Sequence, residues 1–213
     1  MSAFDERREQ DVQKLRDLQR TSESKVLVTR VSGTPPNEIE VELRFKTAPS
    51  QDYPRKVQDF TRAVISLPAR YPFDEPSVLI KTPILHPNVY ASGRICLGVK
   101  WIPSFGLDLL VRRIIQIVTF DPSVVNAASP ANRDAAGWYR NTLREHPSSF
   151  PTDLFELTTA PPSSPKTMKW ASVDVPSKVL VQCPSCKTKL SLPSGKRGRV
   201  RCPECGNVFE AET

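Results

Sequence analysis

Five prolines, Pro68, Pro72, Pro76, Pro83 and Pro87, fall within twenty residues near the middle of this 213-residue chain. Each fixes φ and removes a backbone donor, so neither a helix nor a central strand can pass through the segment. The one strand that fits between them, Ser77 to Lys81, belongs at the edge of a sheet. Beyond it the chain has to cross the surface as irregular, rigid backbone, a setting suited to holding a reactive group. Glycine is scarce, 8 residues in all, and no G-x-x-x-x-G-K-[ST] or G-x-G-x-x-G motif occurs. That excludes the two commonest phosphate cradles.

The flanking sequence supplies regular elements. Residues 3 to 21 contain neither glycine nor proline and carry Phe4, Val12, Leu15 and Leu18 as a narrow apolar stripe, which predicts a helix packed along one edge. Lys25 to Val31 and Ile39 to Lys46 read as a hairpin around the turn Ser32-Gly-Thr-Pro-Pro-Asn37, and Thr61 to Leu67 as a third strand. Leu107, Leu110, Val111, Ile114, Ile115, Ile117 and Val118 recur at helical spacing and predict a central buried helix, with Arg112 and Arg113 on its other face and Pro122 as its stop. A further helix is expected over Asn132 to Leu143.

Within and after the proline-rich segment stand Tyr71-Pro-Phe-Asp-Glu-Pro76, His86-Pro-Asn88, Ile95-Cys-Leu97 and Trp101-Ile-Pro103. Together with the order helix, strands, proline-rich crossing, cysteine, helix, helix, they make residues 1 to about 145 resemble the ubiquitin-conjugating enzyme family. The resemblance implies an α+β fold, an antiparallel meander sheet flanked by helices. It also implies carriage of a ubiquitin-like protein as a thioester, received from an activating enzyme and passed to a lysine amine of a target protein. Thiolates suit both halves of that exchange, as nucleophile and as leaving group.

By this resemblance Cys96 is the carrier and Asn88 the amide donor to the oxyanion formed on attack; the competing readings are a small buried cysteine and a loop-bracing asparagine. His86 is expected to hold the loop rather than move protons. Ser129 matches the mouth of the site near the incoming lysine, or caps the following helix. Phe73 and Pro103 match partner-binding surfaces, and core packing is the alternative for Phe73; whether a ligase takes part is left open. Two departures stand out. The interval from Cys96 to Trp101 is about three residues shorter than in typical members, and Gly98 occupies a position where many carry Asp. They suit a divergent, bacterial relative.

From Pro147 to Pro176 apolar periodicity disappears among Pro, Ser and Thr, which reads as a linker over 147–177. Leu154, Phe155 and Leu157 are its candidates for docking on the preceding domain, 1–146. The remaining residues, 178–213, contain Cys183-Pro-Ser-Cys186 and Cys202-Pro-Glu-Cys205 separated by fifteen residues. This spacing predicts one structural zinc ion held by Cys183, Cys186, Cys202 and Cys205, with no open coordination position. The segment resembles small bacterial zinc ribbons, with Leu190, Leu192, Val200, Val208 and Phe209 as its apolar cover and Gly195 to Gly198 as a turn.

Charge is uneven. The last 36 residues hold 7 Lys and Arg against 3 Asp and Glu, a net +4 out of +7 for the chain. Lys196, Arg197, Arg199 and Arg201 are candidates for contact with nucleic acid or, by slight preference, an acidic protein. No stretch reaches the length of a membrane span and the N-terminus lacks an apolar signal core, so a cytoplasmic location is expected. The rival to the enzyme reading is a catalytically inactive partner-binding module of the same fold, tethered by the ribbon.

Overall fold

A computed structural model describes residues 2–154, 178–195 and 197–212. The chain divides into two compact units, Met1–Leu157 and Thr158–Thr213.

In the first unit, α1 (Ala3–Thr21) starts at a capping box, the Ser2 hydroxyl accepting from Asp5 N–H and the Asp5 carboxylate from Ser2 N–H. Strands β1 (Val26–Ser32), β2 (Glu38–Leu43), β3 (Thr61–Ser66) and β4 (Ser77–Ile80) form one antiparallel sheet in the order β1-β2-β3-β4. The proline-bounded strand therefore lies at an edge, as its flanks require. Strand β2 alternates buried Ile39, Val41 and Leu43 with glutamates on the opposite face. Helix α2 (Leu107–Val118) buries all seven residues of the predicted stripe, and packs with α1 against the sheet around Leu15, Val41, Ile65 and Ile114. Helix α3 (Arg133–Glu145) is capped by Asn132, whose side-chain oxygen accepts from Ala135 N–H.

Helix α1 departs from the expectation of a merely apolar inner edge, because Arg8 and Asp11 are buried beside Val12, Leu15 and Leu18. Arg8 donates to the carbonyls of Pro36, Pro68 and Ala69. Asp11 accepts from Arg7, Lys14 and the Tyr71 hydroxyl. Both tie the helix to loops at the proline-rich end of the sheet. Burial, with Asp11 as the next cause, pushes the Tyr71 hydroxyl pKa far up, so it stays a donor.

The packed unit also runs past the boundary expected at residue 146. Phe150 is buried among Ala48, Tyr53, Phe120 and Tyr139, and Thr152 donates from its N–H to Thr119 O at 2.8 Å. An aromatic side chain in a Pro- and Ser-rich stretch can still anchor the chain when a preformed aromatic cluster receives it. Leu154 is exposed rather than docked, and Phe155 and Leu157 lie outside the described residues.

The second unit holds two antiparallel hairpins, β5 (Lys178–Gln182) with β6 (Lys189–Pro193) and β7 (Arg197–Arg201) with β8 (Val208–Glu212). Leu190, Leu192, Val200 and Phe209 are half-buried. Val208 is 55% exposed, contrary to expectation; the adjacent inward position on β8 belongs to Phe209 and the buried Ala211 completes that face. Arg197 and Arg199 stand opposite Glu212 and Glu210, so the basic strand faces its own counter-charges; Lys196 is outside the described residues.

Candidate active site and candidate metal centre

The segment carrying Cys96 is held as a small antiparallel add-on to the edge strand. Ile95 N–H donates to Val78 O at 3.1 Å and Ile80 N–H to Gly93 O at 2.8 Å. Tyr90 N–H reaches Arg94 O at 2.9 Å and Cys96 N–H reaches Asn88 O at 2.8 Å, closing a hairpin between the two motifs. Gly93 makes this approach feasible: its φ is +84° and a Cβ there would lie 2.6 Å from Ile80 O.

Asn88 is buried and every group of its amide is engaged. Its Oδ1 accepts from Asn126 N–H at 2.9 Å, and its Nδ2 donates to Val124 O at 3.0 Å and, over a longer 3.4 Å, to Cys96 O. Its own N–H donates to His86 Nδ1 at 2.9 Å. His86 is fully buried, its ring centroid 4.2 Å from that of Phe120, and desolvation pushes its pKa down to about 3. The imidazole is therefore neutral, with Nδ1 as acceptor.

Cys96 is half-buried and opens onto a groove of about 620 Å³, whose lining includes Glu75, Tyr90, Arg94, Gly98 and Lys100. Ser129 is exposed, and its N–H donates to Asn126 Oδ1 at 2.9 Å, two hydrogen bonds away from Asn88. It does not cap α3; Asn132 does. Asn126, which links the two, was invisible in the sequence because nothing in its spacing distinguishes it from any other loop asparagine.

Phe73 is 59% exposed at the tip of its turn, its ring 5.9 Å from that of Phe4 in an edge-to-face arrangement, so it does not pack in the core. Pro103 and Ile102 are exposed as well. Trp101 links their loop to the turn, donating from Nε1 to Pro72 O at 2.6 Å.

In the second unit the four Sγ atoms of Cys183, Cys186, Cys202 and Cys205 lie within 4.8 Å of one another. The pairs Cys183–Cys205 and Cys186–Cys202 are 3.7 and 3.6 Å apart. Tetrahedral ligands at about 2.3 Å from a shared ion would be about 3.8 Å apart, so the spacing fits a bound metal. The two knuckles repeat one geometry. Cys183 N–H donates to Thr188 O at 2.9 Å and Cys202 N–H to Asn207 O at 2.8 Å, with Lys187 and Gly206 both at positive φ. Thr188, through its hydroxyl and its backbone, draws the Cys186 thiol down to about 6. Cys205 is pushed up to about 11, since the Asn207 backbone bond that lowers it is outweighed by Cys186, desolvation and the sulfurs of Cys202 and Cys183 together. Four thiolates need a cation between them.

A sequence model described as ubiquitin-conjugating enzyme matches residues 8–151, well over half of the chain. The chain belongs to the ubiquitin-conjugating enzyme family. It is similar to ubiquitin-conjugating enzyme E2 2 of Mycosarcoma maydis, 34% identical over 88 residues that make up 40% of this chain and 45% of the relative. A ubiquitin-conjugating enzyme E2 of African swine fever virus (isolate Pig/Kenya/KEN-50/1950) is 30% identical over 105 residues, 44% of this chain and 46% of the relative. The chain thus spans about half the length of these relatives. Among solved structures, S. cerevisiae Ubc12 shares the fold, with a TM-score of 0.50, 23% identity, and 66% of this chain and 72% of that chain covered. No helix among the described residues is long and apolar enough to cross a membrane.

Proposed function

We propose that the protein is a transferase that accepts a ubiquitin-like protein from an activating enzyme on Cys96 and passes it to a lysine amine of a target. The observation that carries this reading is the juxtaposition of a half-buried thiol opening onto a groove with a side-chain amide whose Nδ2 lies 3.4 Å from the carbonyl of that same cysteine.

The chemistry runs in two balanced exchanges. The Cys96 thiolate attacks the acyl carbonyl of the donor thioester and expels the donor's thiolate. An amine then attacks the new thioester, the tetrahedral oxyanion collapses, Cys96 leaves as thiolate, and the ammonium proton passes to water. With Gly98 and Ser129 where a carboxylate would otherwise stand, no side chain is assigned as base. Asn88 reaches the oxyanion by giving up its long bond to Cys96 O and keeping the shorter one to Val124 O. Such a donor is typically worth ~10²-fold in rate. In this reading His86 holds the Asn88 backbone and Ser129 lies at the mouth of the groove. Phe73 and Pro103 belong to the face offered to the activating enzyme or a ligase.

The four cysteines hold one zinc ion in a structural ribbon, the all-sulfur donor set being the one zinc prefers. The layout is a catalytic domain whose packing takes in Phe150 and Thr152, a linker within the stretch 147–177, and the ribbon over 178–213. A bacterial source and a reducing cytoplasm, where the free thiols persist, belong to the same proposal.

A short glycine-terminated peptide carrying a mercaptoethanesulfonate thioester tests this whichever ubiquitin-like protein is the natural cargo. Peptide mapping should place a thiol-labile acyl group on Cys96 of the full chain, with no acyl group mapped to that segment in Cys96→Ala. Acylation that spares Cys96, or Cys96 acylation that never passes to free lysine, would favour the inactive binding module instead.

A further inference from the structure

Helix α2 carries two adjacent arginines in an otherwise apolar run, a pattern that reads as an outward face. The fold instead turns Arg113 under the Cys96 segment, where it is half-buried. Its Nε donates to Leu97 O at 3.0 Å. The next carbonyl back, Cys96 O, is the one Asn88 Nδ2 holds at 3.4 Å. Two donors from distant parts of the chain thus grip consecutive peptide groups of the segment. They also flank the same point: a Cβ on Gly98 would lie 3.5 Å from Arg113 Nη2 and 4.0 Å from Asn88 Nδ2. Gly98 itself sits at φ +67°, so the backbone turns sharply just where the two donors meet it.

The short connection to Trp101 makes this grip matter. Trp101 is fixed by its bond to Pro72 O, and Leu97 is buried, but Gly98, Val99 and Lys100 between them are exposed. Without Arg113 the Leu97 carbonyl would have no partner among the described residues, and the peptide planes after Cys96 could rotate. Burial lowers the Arg113 guanidinium pKa and Asp121 opposes that shift.

We infer that Arg113 is a positioning residue for transfer: it fixes the Leu97–Gly98 peptide so that the acyl group on Cys96 and the amide of Asn88 keep their register. The inference rests on the transferase reading above. It predicts a split between the two exchanges. Thiolate exchange on a thioester has a low intrinsic barrier and needs little beyond an accessible thiol, whereas the slower attack by an amine depends on the oxyanion and its donor being aligned, and misplacement is costly there.

The test uses the full chain, the glycine-terminated peptide thioester as acyl donor and free lysine as acceptor, followed by intact mass. Arg113→Met keeps the stem and removes the donor; Arg113→Lys restores one. All three proteins should charge at rates within about twofold, with Arg113→Met discharging about tenfold more slowly and Arg113→Lys within about threefold of the parent. Discharge by Arg113→Met at the parental rate would overturn the inference. So would equal slowing in Arg113→Lys, which would mark the site as packing alone. A parent chain that takes no acyl group on Cys96 would overturn the transferase reading, and this inference with it. A charging parent with an indifferent Arg113→Met overturns this inference only.

Discussion

His86 contributes as a neutral ring. It is buried against Phe120, and its Nδ1 is committed to Asn88 N–H, so protonation would cost both desolvation and that hydrogen bond. The folded pKa, about 3, lies below the unfolded value near 6.5. Below about pH 6.5 the unfolded chain therefore binds the proton first. Stability from this group is complete above that pH and falls as pH drops toward 3, by up to about 1.4 kcal/mol per unit. Urea unfolding of the parent and His86→Gln between pH 7.5 and 4.5 should show the steeper loss only in the parent; parallel curves would contradict the assignment. Asn88 is in a comparable position, its amide fully engaged by Asn126 N–H, Val124 O and Cys96 O. Its bracing role is in place before any acyl group arrives, and the amide must exchange one bracing bond to act on an oxyanion.

At the scale of elements, the Cys96 segment depends on a hairpin with little intrinsic preference to form. Gly93 makes its turn possible, because any side chain there meets Ile80 O. Gly93→Ala should cost about 2 kcal/mol in urea unfolding, through positive φ and the clash together. A loss below about 0.5 kcal/mol would show that the add-on to β4 is dispensable.

The helices and strands themselves were readable, since α2 buries every residue of its predicted stripe and β2 alternates cleanly. The clustering of Cys183, Cys186, Cys202 and Cys205 was readable too, because each C-x-x-C pair is local in the sequence. Arg8, Asp11, Arg113 and Asn126 were not. Each has at least one decisive partner far along the chain, such as Pro68 O for Arg8, Tyr71 for Asp11, Leu97 O for Arg113 and Asn88 for Asn126, and a polar residue that ends up satisfied inside looks, in sequence, like one left in water. Phe150 was missed for a related reason: its anchor is an aromatic cluster assembled from three separate segments, around Tyr53, Phe120 and Tyr139.

At the scale of the whole molecule, the two units differ in what holds them. The first has a continuous apolar core whose members run from Val12 to Val124. In the second, the buried side chains among the described residues are Cys183, Cys202 and Ala211, too few to offset chain entropy without a metal. A chelator should therefore abolish amide protection across residues 178–212 of the full chain while residues 2–154 keep theirs. Undiminished protection in the hairpins would contradict a metal-dependent fold.

As proposed, Cys96 and Asn88 together transfer an acyl group to an amine. The most direct measurement loads the full chain from the glycine-terminated peptide thioester, removes excess donor, adds free lysine and follows loss of the adduct over time. The folded parent should discharge at least about a hundredfold faster than the same chain in urea, and Asn88→Ala should charge normally yet lose most of that advantage. Equal discharge by the folded, unfolded and Asn88→Ala proteins would show that the thiol is merely accessible and that the site does not catalyse transfer.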